Sequence, residues 1–220
     1  MDLVRIGIIG IGGMGSNHAG YIAKGDVPNA KLTAVCDVDP ARIAWAEKNL
    51  PEDVQRFDNP DSFFESAEVD AVMIATPHYD HPPLGIRAIE NGWHVLSEKP
   101  AGVYTRQVQE LIDAAENSDR VFGLMLNQRT RPVHQKVREL VQDGELGDIK
   151  RTCWIVTQWF RSQSYYDSGG WRASWRGEGG GVLLNQCPHN LDLWQWMTGM
   201  PTRVMAFCSF GKYHDIEVED

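Results

Sequence analysis

Leu3-Val4-Arg5-Ile6-Gly7-Ile8-Ile9-Gly10-Ile11-Gly12-Gly13-Met14-Gly15 is the stretch whose reading decides the fold. Leu3 to Ile9 is a short, β-rich apolar run. It passes directly into G-x-G-x-x-G, and Ser16 to Lys24 then reads as a helix. A glycine fingerprint alone says little; one set between a strand and a helix says more. In that setting Gly10 permits a tight turn, Gly12 lets the backbone approach a pyrophosphate, and Gly15 lets helix and strand pack closely, with the helix N-terminus facing the anion. Gly10, Gly12, Gly13, Met14 and Gly15 are therefore candidate cofactor-binding residues. The alternative is a flexible loop.

A second strand, Lys31 to Cys36, ends at Asp37, about 20 residues past the glycines, where a dinucleotide fold places an acid against the adenosine ribose. A carboxylate there accepts hydrogen bonds from ribose hydroxyls and repels a 2'-phosphate, which favours NAD over NADP. Nearby Arg42 is a guanidinium able to hold that phosphate, and Asp37 can also be read as a helix N-cap or turn acid before Pro40.

Helices are expected over Pro40 to Asn49 and Pro60 to Ala67, and strands over Val54 to Phe57 and Val69 to Ala75. The last of these strands runs into Thr76-Pro77-His78-Tyr79-Asp80-His81, at the carboxyl edge where open α/β sheets bind ligands. Thr76, Pro77, His78 and His81 join the cofactor candidates. The two histidines lack further ligands at metal-site spacing, so no metal is expected. Leu84 to Asn91 reads as a helix, His94 to Leu96 as a strand, and Ser97-Glu98-Lys99-Pro100 leaves its end. Lys99 is placed to meet substrate, and Pro100 to fix the turn through a cis bond; a surface salt bridge of Glu98 is the plain alternative. Thr105 to Asn117 is an amphipathic helix and Val121 to Leu126 a sixth strand, so residues 1–129 make a doubly wound parallel domain.

Residues 130–220 change character. A helix over Pro132 to Gln142 leads to a long strand expected from Ile149 to Phe160, and another is expected from Thr202 to Phe210. Two strands do not make an independently stable sheet, so the chain reads as part of a longer protein, or as one whose sheet another chain completes. Six of the eight tryptophans lie between Trp154 and Trp196. They are interleaved with Arg161, Gln163, Tyr165, Tyr166, Arg172 and Arg176. Flat apolar faces beside fixed donors suit a polyhydroxylated ring; a tryptophan-rich core is the alternative. Gln158, Tyr165, Trp171 and Arg172 are the substrate candidates from this region. Asp167 to Gly181 carries six glycines and reads as a loop that can fold over a ligand or as a mobile connection. Beyond it, a helix would carry Asn185, His189, Asp192 and Trp196 on one stripe, kinked near Pro188.

Bulk properties narrow the class. With 220 residues and a net charge of -9, the chain has none of the clustered Lys and Arg that nucleic acid requires. Cys36, Cys153, Cys187 and Cys208 are scattered without a C-x-x-C pair, as in a reduced, cytoplasmic protein. No run approaches the ~20 apolar residues of a membrane span, and the N-terminus lacks a signal peptide's pattern.

Taken together, Gly10 to Gly15, Asp37, Gly92-Trp93-His94-Val95-Leu96-Ser97-Glu98-Lys99-Pro100, Asn127-Gln128-Arg129 and Gly179 to Asp192 resemble the glucose-fructose oxidoreductase and inositol dehydrogenase (Gfo/Idh/MocA) family. The resemblance implies an α/β chain: an N-terminal Rossmann domain, then an α+β C-terminal domain with an open, mostly antiparallel sheet through which subunits associate as a homo-oligomer. It also implies a longer protein, of which this is the leading part. Glu98, Lys99 and Gln128 fall at cofactor-contact positions, Lys99 matches the family's catalytic lysine, and His189 its catalytic histidine. Asn185 stands where many members have an aspartate, and an amide can orient a hydroxyl but cannot take its proton. Asp192 is a structural acid on this reading. The implied reaction is NAD-dependent oxidation of a secondary alcohol of a sugar, sugar derivative or cyclitol; NADP is the lesser cofactor. His189, with a reference pKa of ~6.5, is the base, and Lys99, at ~10.4, steadies the alkoxide unless burial beside a cationic ring makes it the base. Two other readings are a glycosidase using transient oxidation and a non-catalytic dinucleotide-binding regulator.

Overall fold

A computed structural model describes residues 3–156 and 160–220. Gln158 lies outside the described residues. The chain divides into two compact units, Met1–Met125 and Leu126–Asp220.

The first unit is built on six strands: β1 (Val4–Ile9), β2 (Ala30–Cys36), β3 (Gln55–Phe57), β4 (Ala71–Ile74), β5 (His94–Ser97) and β6 (Phe122–Leu124). All pair in parallel, in the order β3-β2-β1-β4-β5-β6. Helices α1 (Gly13–Ala23), α2 (Pro40–Asn49), α3 (Pro60–Ser66), α4 (His81–Glu90) and α5 (Thr105–Glu116) fill the crossovers. This is the doubly wound order, and its direction reverses between β1 and β4, which places a crevice at their carboxyl ends.

Strand alternation sends neighbouring residues to opposite faces, and both faces are covered. Ile9, Cys36, Val72 and Ile74 join Phe63, Ala88, Ile89 and Leu111 on one side. Ile8, Val35 and Met73 join Ala19, Ile22, Ala46 and Leu50 on the other. Each large apolar side chain among them, fully buried, contributes roughly 1.5–3 kcal/mol. Local signals agree with this packing. Asp39 caps α2 by accepting from the Ala41 N–H at 2.9 Å, and Asn59 caps α3 by accepting from the Ser62 N–H at 2.9 Å, each just before a proline at the first helical position.

The second unit contains α6 (Pro132–Gln142), α7 (Gln163–Asp167), a π-helical turn (Val182–Gln186) and α8 (Pro188–Thr198). Arg138 of α6 holds α8, its Nε donating to the Trp196 carbonyl at 3.1 Å while its guanidinium lies 4.6 Å from the centre of the indole. The strands expected over 149–160 and 202–210 do not form among the described residues. Phe210 and Glu219 make a single antiparallel bridge. A strand is stable only with hydrogen-bonded neighbours; here Ile155 is 75% exposed and Phe207 92%. Among the described residues no helix is long and apolar enough to cross a membrane.

Candidate functional site

The glycine turn is shaped by contacts that only glycine allows. Gly10 has a φ of +86°, and a Cβ on Gly15 would stand 1.8 Å from the Gly10 carbonyl oxygen, so α1 can begin this close to β1 only without that carbon. At Gly12 and Gly13 an added Cβ would meet nothing within 4 Å. Those two backbone positions thus border open space at the start of α1, as an approaching pyrophosphate requires.

Asp37 stands beside this turn. Its Oδ2 accepts from the Ile11 N–H at 2.8 Å and its Oδ1 from the Asp39 N–H at 3.0 Å. The N-cap of α2 is Asp39, so Asp37 is not the cap, but its bond to the Asp39 N–H is that of a turn acid before Pro40. Arg42 donates from Nε to the Ile11 carbonyl at 2.6 Å and lies over the Trp45 ring at 5.1 Å. Its guanidinium braces the glycine turn, which weakens its case as a 2'-phosphate ligand.

At the end of β4, the Thr76 hydroxyl oxygen is buried and has no hydrogen-bond partner among the described residues. A buried polar atom in that position fits a bound dinucleotide, which would give it one. His78 is 3% exposed and His81 1%. The His81 ring sits between two loops: Nε2 is 2.8 Å from the Thr76 carbonyl oxygen and Nδ1 2.7 Å from that of Pro100. Helix α4 starts at His81, and among the described residues no group of three or more His, Cys, Asp or Glu could hold a metal ion.

The loop leaving β5 carries Lys99, and the Lys99–Pro100 peptide is cis. Glu98 is not the surface salt bridge of the plain alternative. Its Oε1 is 2.8 Å from His18 Nε2 on α1, and its Oε2 accepts from the Lys99 N–H at 3.3 Å. Burial pushes the Glu98 carboxyl up, but the His18 hydrogen bond and charge, with the Lys99 N–H and ammonium, outweigh it and hold the group below its ordinary value. His18 escaped the sequence reading; its place one turn beyond Gly15 on α1 was the available signal.

In the second unit the expected single helix over Asn185 to Trp196 is broken. Residues Val182–Gln186 form a π-helical turn in which the Cys187 N–H reaches the Val182 carbonyl at 2.8 Å, and α8 then restarts with Pro188 at its first position. Proline has no N–H and would crowd the carbonyl four residues back, so it sits where neither matters. Asn185 and His189 therefore belong to different elements. Asn185 is 7% exposed, and its Nδ2 donates to Glu178 Oε1. Asp192 accepts from Arg129, through Nε at 2.8 Å and also through Nη2. Gln128 lies in this unit, its carbonyl 2.8 Å from His134 Nδ1.

Three substrate candidates, Tyr165, Trp171 and Arg172, are linked through the Arg172 guanidinium. The Tyr165 hydroxyl accepts from Arg172 Nη1 at 2.7 Å and from Gln186 Nε2 at 3.0 Å. Arg172 also lies over the Trp171 ring at 4.6 Å, and Arg161 over the Tyr165 ring at 4.7 Å. Gln186 and Glu178 were missed in the sequence. For Glu178 the signal was an acid placed directly before the triple glycine.

A doubly wound sheet with this glycine turn and this acid after β2 defines a dinucleotide-binding module. Residues 4–126 match the oxidoreductase family with the NAD-binding Rossmann fold, GFO_IDH_MocA, and residues 134–220 match the GFO/IDH/MocA C-terminal domain. The chain belongs to the Gfo/Idh/MocA family, and its first unit is an NAD-binding Rossmann fold. It is 30% identical over 186 residues to a glycosyl hydrolase family 109 protein of Saccharopolyspora erythraea, covering 79% of this chain and 40% of that protein. Among solved structures it is similar to the WlbA dehydrogenase of Bordetella pertussis in complex with NADH and UDP-GlcNAcA, at 30% identity and TM-score 0.88, covering 99% of this chain and 65% of that one. It is also similar to scyllo-inositol dehydrogenase of Lactobacillus casei with bound NAD(H) and scyllo-inositol, at 28% identity and TM-score 0.74, covering 90% and 57%.

Proposed function

We propose that the protein transfers a hydride between a secondary hydroxyl of a sugar, sugar derivative or cyclitol and NAD. What carries this reading is the placement of Lys99: at the carboxyl end of β5 in an NAD-binding sheet, on a loop whose Glu98 is anchored to the helix that follows the glycine turn. Gly12, Gly13, Asp37 and Thr76 are the residues that would hold the dinucleotide. When bound, its nicotinamide supplies the hydride acceptor. His189 takes the hydroxyl proton, since a neutral imidazole is the side chain suited to that task near pH 7. Lys99 meets the oxygen with an ammonium as negative charge builds there. Asn185 orients the substrate through a neighbouring hydroxyl and takes no proton. Tyr165, Trp171 and Arg172 present donors and flat apolar faces to the ring of the substrate.

The test is NADH absorbance with a panel of polyols and sugars, using wild type, Lys99→Ala and His189→Ala. Each variant should lose about 100- to 10,000-fold in kcat, the usual worth of a positioned acid or base, while still binding NAD. Turnover near wild type in both variants would refute the assignment. The similarity to a glycosyl hydrolase family 109 protein supports a second reading, glycoside cleavage through transient oxidation. That reading predicts free sugar from a glycoside with no net NADH.

A further inference from the structure

We infer that Glu178 is a positioning residue of the substrate site, fixing which end of the Asn185 amide is presented to the substrate's hydroxyls and joining that amide to the loop that carries Trp171 and Arg172. The inference rests on the dehydrogenase reading above and concerns only the second unit.

Glu178 is 1% exposed, although it lies in a glycine-rich loop. A carboxylate that deep needs donors. It has them on both oxygens: Oε1 accepts from Asn185 Nδ2, and Oε2 from the Ala173 N–H at 2.7 Å. Ala173 has a left-handed backbone, φ +62°, and its carbonyl accepts from the Glu217 N–H at 2.9 Å. A non-glycine residue persists in that conformation when its surroundings hold it there, and Glu178 is part of that hold. One side chain therefore braces the turn next to Arg172 and the π-helical turn that bears Asn185.

The chemistry of the pair fixes its polarity. A carboxylate only accepts, so the amide must face it with its NH2 group, and the acceptor Oδ1 is directed to the other side. Asn185 is thereby made an acceptor, the character required to receive the O–H of a hydroxyl neighbouring the one being oxidised, whose own proton goes to His189. With a neutral partner at position 178, the amide is free to turn over and present a donor instead.

The experiment uses the full chain with NAD and three variants: Glu178→Gln, Asn185→Asp and the double variant Glu178→Gln/Asn185→Asp. In the double variant the amide introduced at position 178 can donate to the carboxylate introduced at position 185 while its oxygen still accepts from the Ala173 N–H, so the pairing is restored with the partners exchanged. Glu178→Gln should lower kcat by about 10- to 100-fold, with NAD affinity unchanged and KM moved by less than about 3-fold. Asn185→Asp places two carboxylates together and should lose at least as much. The double variant should recover at least about 10-fold over the product of the two single losses. Losses that simply multiply, wild-type kcat in Glu178→Gln, or equal loss of folded protein in all three variants would overturn the inference. If instead wild type reduces NAD with no compound of the panel, the dehydrogenase reading fails, and that result is distinct from any of these.

Discussion

The carboxylate of Glu98 and the imidazole of His18 meet at 2.8 Å, one on the loop after β5 and the other on α1. Both are largely covered, at 12% and 17% side-chain exposure. The bond links the helix that begins at the glycine turn with the loop that holds Lys99, so the two ends of the nucleotide crevice are mechanically joined.

Removing that bond should show in the acid limb of stability. The folded-state pKa of Glu98 lies below its ordinary value, so the stabilisation is complete above about pH 4.3 and is lost as pH falls through the depressed folded value. His18→Ala takes away the hydrogen bond and the charge that most oppose burial, and lets burial raise the Glu98 pKa. Urea unfolding between pH 3 and 7 should then show a variant less stable than wild type near neutrality but with a shallower loss of stability as pH falls, because unfolding no longer adds a proton to Glu98. Superimposable acid limbs would count against the coupling.

The glycine turn offers a paired comparison. Gly15→Ala drives a Cβ to 1.8 Å from the Gly10 oxygen and must displace α1; both Tm and NAD affinity should fall. Gly12→Ala projects its methyl into open space. It should leave Tm within about 2 °C, because a surface change that disturbs no packing is close to neutral, yet weaken NAD binding at least about 10-fold by blocking the approach of the pyrophosphate. Calorimetry with cofactor titration separates the two, and equal effects on Tm would contradict the geometry.

Asp37 supports the turn, and the proposed function gives it the choice of cofactor as well. Asp37→Ala removes an acceptor for the Ile11 N–H and the candidate partner of the ribose hydroxyls. Hydrogen bonds to charged groups are worth about 1.5–3 kcal/mol, so NAD affinity should drop by about 10- to 100-fold while the preference over NADP narrows. A ratio of NAD to NADP affinity unchanged from wild type would exclude Asp37 from discrimination.

Cys36, at the end of β2, should resist thiol reagents. Burial first, then the charges of Asp37 and Asp58, push its thiol up to about 12. Alkylation at about pH 8, just below the ordinary thiol pKa, followed by mass mapping should leave Cys36 unmodified in the native protein and modify it fully in denaturant. Native modification at a rate like that of a free thiol would contradict its placement.

Much of the first unit was legible because its signals are local. The apolar runs, the Asp39-Pro40 and Asn59-Pro60 helix starts and the glycine turn each state their own conformation within a few residues. The turn that Asp37 makes with the Asp39 N–H was legible for the same reason. What stayed hidden depends on distant partners. Nothing near His18 names Glu98, eighty residues away, and nothing near Arg42 names the carbonyl of Ile11. In the second unit, residues 149–156 and 202–209 have strand composition, but composition supplies no neighbour, and they form no ladder. The spacing around Pro188 predicts a kink within one helix; the proline instead opens a new one, because it costs least at a first position. Glu178 carries one weak signal, its place directly before the triple glycine, but acids in glycine-rich loops are ordinarily solvated and it is burial that sets this one apart.

His81 spans the carbonyls of Thr76 and Pro100 with a single ring, and it is also the first residue of α4. Because one ring meets both carbonyls, the β4 exit and the lysine-bearing loop are tied to the same point of α4, and neither can be displaced without breaking a bond to the other's anchor.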